Sequence, residues 1–154
     1  EVVLTSSYRT NEFQTQGTIH MKYNPGTILC RNKGPAVHYG NYFSDTHVLH
    51  IRPGYGCEIT TLEELSAGQN VWTLDTPVSA GFEERAQEVM SRSYSLLTDN
   101  CQHIANYVAS GKYSSPQVTG TLLGAATFTA LSDKGEWWQR ALAGGVIGLL
   151  LSRA

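Results

Sequence analysis

The chain has 154 residues, 41% hydrophobic and 16% charged, with 11 Lys and Arg against 13 Asp and Glu. That length suits one domain, and a formal net charge of −2 excludes the overall basic field that draws a protein to nucleic acid or anionic lipid. Three cysteines, Cys30, Cys57 and Cys101, are too few for a disulfide framework and, without a secretory signal, point to a reducing compartment.

Residues 1–18 are polar and aperiodic and read as an N-terminal arm. A core domain over 19–118 and an apolar C-terminal segment over 119–154 follow. Asn24-Pro25-Gly26 signals a turn, and residues 27–31 then read as a strand that Lys33-Gly34-Pro35 breaks. Residues 37–43 and 46–52 are β-rich and join through Ser44-Asp45, a hairpin signal. Further strands are predicted over 56–60 and 70–74, with a short helix over 62–67 between them.

Phe82, Ala86, Val89 and Met90 recur on one helical face, with Ser79 as the candidate N-cap. Residues 94–97 read as a short extended lead into the next helix. Thr98-Asp99-Asn100 supplies cap residues for that helix, Cys101, Ile104, Ala105 and Val108 supply its apolar face, and Gly111 is its stop. Two apolar segments follow, separated by residues 132–136 and expected to pack as helices against the core or to meet a membrane. Residues 141–151 are uncharged but too short to span a bilayer alone. They are expected to pack on the same domain or on a second copy, and to meet membrane only secondarily. Trp137 and Trp138 read as interfacial anchors or core aromatics, with at least one expected in the core.

The chemistry-bearing residues fall in two places. Cys101 lies in the first turn of its predicted helix, where free backbone N–H groups and the helix dipole favour an anion. That position lowers a thiol's pKa and suits a nucleophile, whereas a buried structural cysteine needs no such help. His38 and His50 are twelve residues apart on the predicted hairpin. A turn centred near Ser44 sets them opposite each other, as a general base and its orienting partner or as two half-exposed strand residues. Asn100 is a candidate cap or oxyanion donor. Cys30 and Cys57 read as core thiols. No CxxC or HxxxH pair occurs, and no metal or cofactor is expected.

These residues carry a resemblance. His38-Tyr39-Gly40-Asn41-Tyr42, with Asp45 and then His50, resembles the H-box of the lecithin:retinol acyltransferase-like (phospholipase A/acyltransferase) superfamily. Asn100-Cys101-Gln102-His103 resembles its Asn-Cys-Glu-His box. Pro25-Gly26-Thr27-Ile28-Leu29, Tyr94-Ser95-Leu96-Leu97 and Ser115-Pro116-Gln117-Val118 resemble its flanking segments, so the likeness covers roughly residues 25–118. Tyr39 replaces a Trp, Gln102 replaces a Glu, and the stretch between the boxes is shorter than in cellular enzymes. These departures bring the chain nearest the H-box/NC type of picornavirus 2A protein, a polyprotein product.

The resemblance implies an α+β, permuted papain-like (NlpC/P60-related) fold: an antiparallel sheet with the cysteine-bearing helix packed on it. It implies Cys101 as nucleophile, His38 as base and His50 as third member, with Tyr39, Asn100, Gln102 and His103 in oxyanion or supporting positions. His103, two residues after Cys101, does not share its helical face and is expected to make a structural bond. Two functions follow. One is a non-catalytic viral replication factor acting through a host protein, a membrane or RNA. The other is a cysteine phospholipase A/acyltransferase that moves phospholipid acyl groups through an acyl-thioester. The implied setting is the host-cell cytoplasm, at a phospholipid surface or as a homo-oligomer.

Overall fold

The computed structural model describes residues 22–131 and 137–152. The predicted N-terminal arm and residues 132–136 lie outside them. The fold is α+β, with five antiparallel strands in the order β4-β3-β2-β1-β5 and helices packed on the sheet. The strands are β1 (Ile28–Lys33), β2 (Ala36–Ser44), β3 (His47–Arg52), β4 (Gly56–Thr60) and β5 (Trp72–Thr73). The helices are α1 (Leu62–Ser66), α2 (Phe82–Val89), α3 (Cys101–Ser110), α4 (Pro116–Ala130) and α5 (Trp137–Leu151).

Strand alternation divides the core between two faces. Ile28, Cys30, Val37 and Tyr39 pack under Ala105 and Ala109 of α3. Leu49, Ile51 and Cys57 meet Ile104 and Val108 of the same helix and Val89 of α2. Leu29, Tyr42 and Val48 point the other way, onto Leu65 of α1. Gly40 lies between these layers: a Cβ there would come 3.0 Å from the Leu49 carbonyl and 3.1 Å from a Leu65 methyl. A larger residue would push β2 away from β3 and α1.

Helix α3 is fixed at both ends. The Asn100 side chain accepts from the backbone N–H groups of Gln102 and His103, at 2.9 and 3.1 Å. Gly111 ends the helix in the left-handed region, at φ 74°. Arg85 of α2 donates to the Val108 carbonyl at 3.0 Å and to that of Ala109 at 3.2 Å. The guanidinium thus satisfies carbonyls that the end of a helix leaves without partners.

Several expectations shift. The predicted strand over 70–74 shrinks to two residues, and the lead over 94–97 carries an isolated bridge between Ser95 and Asp99. Gly81, not Ser79, precedes α2; Ser79 instead donates its N–H to the Ala109 carbonyl at 2.8 Å. Both tryptophans of the C-terminal segment are exposed, Trp137 at 59% and Trp138 at 51%, so neither belongs to the core. Among the described residues no helix is long and apolar enough to cross a membrane.

Candidate active site

Cys101 is the first residue of α3, as the cap pattern predicts, and is half-buried between the two clusters beneath that helix. Its sulfur lies 4.0 Å from the Val37 carbonyl of β2. Here β2 has parted from β3, because their pairing covers only Asn41 with Leu49 through Ser44 with His47. Burial pushes the thiol up, against the opposing pull of the Tyr39 N–H and of the first N–H groups of α3. The expected lowering at the helix start is therefore overturned: desolvation outweighs the helix terminus. Cys30 and Cys57 are core thiols, each pushed up to about 12 by burial.

His38 and His50 come together, but not directly opposite each other. Asn41 faces Leu49 and Tyr42 faces Val48, so the hairpin turns about Asp45 rather than Ser44. Continued one step, that register sets His50 against Gly40 and His38 two residues further on, on the same face. Nε2 of His38 lies 2.8 Å from Nδ1 of His50, and both rings are buried. Burial lowers His38 to about 3, helped by its neighbour His50. Burial likewise lowers His50 to about 4, although the Glu58 carboxylate opposes it. Both imidazoles are neutral near pH 7.

The pair shares its face of the sheet with Tyr42, Val48 and α1, whereas α3 packs on the other face beside Val37 and Tyr39. Thiol and imidazoles therefore approach one stretch of β2 from opposite sides. Among the described residues no hydrogen bond joins Cys101 to His38 or His50; each ring bonds the other.

The remaining motif residues are tied into the scaffold. Gln102 donates to the Tyr39 hydroxyl at 3.0 Å and accepts from the Ser115 hydroxyl at 2.8 Å and the Gln117 N–H at 2.9 Å. The Asn100 amide donates to the Leu96 carbonyl at 2.9 Å and to Ser115 at 3.3 Å, so its N–H groups are committed away from an oxyanion. The His103 ring stacks on Tyr113 with centroids 5.4 Å apart, a structural placement.

Two residues of this region escape the sequence reading of the site. Gln117 accepts from the Val37 N–H at 2.9 Å and donates to the Val37 carbonyl at 3.2 Å. It acts as the missing strand partner where β2 and β3 part. The resemblance of Ser115-Pro116-Gln117 marked the segment but gave it no role. The other is Glu58, the cross-strand partner of His50 in β4, whose carboxylate lies 3.2 Å from Nε2 of His50 and also binds Arg52. A comparison with protein-family models finds no match, and a comparison with curated proteins finds none either.

Proposed function

We propose that this chain is a viral factor of the H-box/NC 2A type, on a permuted papain-like scaffold of the lecithin:retinol acyltransferase-like superfamily, and that it acts without turning over lipid. The two boxes carry the family reading, and a cysteine at the start of a helix laid on an antiparallel sheet agrees with it. One observation favours the non-catalytic role. The imidazole pair bonds within itself, across the sheet from a thiol that burial holds protonated. Nucleophilic catalysis needs a thiolate and a base within reach of it. The proposed setting is the host-cell cytoplasm, with a host protein, a phospholipid surface or a second copy as partner. The net charge of −2 gives RNA no support.

Acyl transfer is the second reading. Cys101 and His38 border the same stretch of β2, and this reading requires the His38 ring to swing round the strand to the α3 side. Intact protein incubated with mixed phospholipid vesicles and analysed by mass spectrometry separates the two. We expect no acyl adduct on Cys101 and no fatty acid released above the level of Cys101→Ser. An acyl-thioester on Cys101 that the serine variant lacks would establish the enzyme instead.

A further inference from the structure

We propose that Glu58 is a positioning residue for the buried imidazole pair: its carboxylate holds the proton of His50 on Nε2 and thereby leaves Nδ1 of His38 without one. This goes beyond the proposed role and holds whether or not lipid is turned over.

The argument is a proton count along one line of atoms. Glu58 lies 3.2 Å from Nε2 of His50, and Nδ1 of His50 lies 2.8 Å from Nε2 of His38. A neutral imidazole carries one N–H, so one nitrogen donates and the other accepts. Two arrangements satisfy the contact between the rings. In the first, His50 carries its N–H on Nε2, beside the negative charge of Glu58, and accepts from the Nε2–H of His38. In the second, His50 donates to His38 and turns a bare nitrogen toward the carboxylate, lone pair against negative charge. The carboxylate selects the first. Among the described residues, Nε2 of His50 is buried and forms no hydrogen bond; the Glu58 carboxylate, 3.2 Å away, acts on it through its charge.

Neighbouring charges fit this assignment. Arg52 binds the same carboxylate and holds Glu58 below the ordinary carboxylate range, so the charge that orients His50 persists across neutral pH. Burial keeps both rings from taking a second proton, which would abolish the choice between tautomers. His50 faces Glu58 directly in the β3–β4 register, so the backbone itself delivers the carboxylate to the ring. The outcome is a buried pair with one polarity, ending in a proton-accepting nitrogen on His38. In the acyl-transfer reading that nitrogen would be the base.

The test reads the ring nitrogens of the full chain by NMR, with histidine labelled with nitrogen-15. Wild type should show both rings protonated on Nε2 and bare on Nδ1. Glu58→Gln keeps the shape, but its amide can donate or accept, so the preference should disappear and both rings should change together. A purely structural glutamate would leave the nitrogen signature unmoved. Arg52→Gln retains the carboxylate and should retain the wild-type signature, which keeps the test open should Glu58→Gln fail to fold. A proton on Nδ1 of His50 in wild type, an unchanged signature in Glu58→Gln, or a switched one in Arg52→Gln would overturn the proposal.

Discussion

Two neutral imidazoles inside the sheet make stability depend on pH with a definite sign. His38 and His50 sit at about 3 and about 4, against an ordinary 6.5, because burial disfavours their charged forms. Once unfolded, both take up protons as pH falls through 6.5. The folded rings resist until far lower. Between those limits the unfolded state binds more protons, so stability rises with pH. Their contribution is complete above the ordinary value and drains away as pH falls toward the folded values. His103, also lowered by burial, adds to the same limb. Denaturant midpoints should therefore drop between about pH 7 and about pH 5, before most carboxylates titrate. The double variant His38→Gln, His50→Gln should flatten most of that drop; an unaltered slope would place the responsible protons elsewhere. The histidine pair was legible because twelve-residue spacing on a hairpin is a local signal. Its diagonal offset was not, since the register shift between Tyr42 and Ser44 leaves no mark in composition. Gln117 was harder still: its bonds reach Val37, 80 residues away, and no local period encodes such a contact.

Among the elements, the pairing of α4 with α5 depends on glycine. A Cβ on Gly124 would fall onto the Gly144 carbonyl, and one on Gly148 onto the Gly120 carbonyl. Gly145 differs, for a Cβ there would meet the Thr121 methyl at 3.6 Å, an ordinary contact. Alanine is favoured over glycine by ~1 kcal/mol within a helix. Forcing two backbones apart costs typically 1–3 kcal/mol. Gly148→Ala should thus destabilise the helix pair, while Gly145→Ala should stabilise it by ~0.5–1 kcal/mol. Chemical denaturation followed by the fluorescence of Trp137 and Trp138 measures both. Two stabilised variants would mean that the helices stand further apart. Capping made α3 readable in advance: Asn100 and Gly111 are its actual limits. The C-terminal segments were legible as helices but not in how they pack, because a sequence apolar on all sides carries no period from which to read a packing face.

For the whole molecule, the question is what the α4–α5 pair does for a domain it barely touches. Its polar attachment to the sheet runs through the first turn of α4, where Ser115 and Gln117 enter the network of Gln102 and Val37. Beyond that turn, Leu122, Leu123, Leu142 and Leu151 are each more than half exposed. Helix α5 has 15 residues, about 22 Å at 1.5 Å per residue, short of the ~30 Å core of a bilayer. Full burial of such side chains is worth about 1.5–3 kcal/mol each, so leaving them in water forgoes a large stabilisation, and contiguous apolar surface of this kind marks an interaction site. We expect the chain to associate with itself through this pair as its concentration rises. Sedimentation of wild type should show a species larger than one copy, and Leu123→Lys with Leu142→Lys should return it to the monomer. Because both positions are solvent-exposed, the melting of the sheet should hardly change. Vesicle flotation of the same two proteins supplies the contrary result: a wild type that stays monomeric, floats, and loses flotation with the lysines would assign this face to lipid rather than to a second copy.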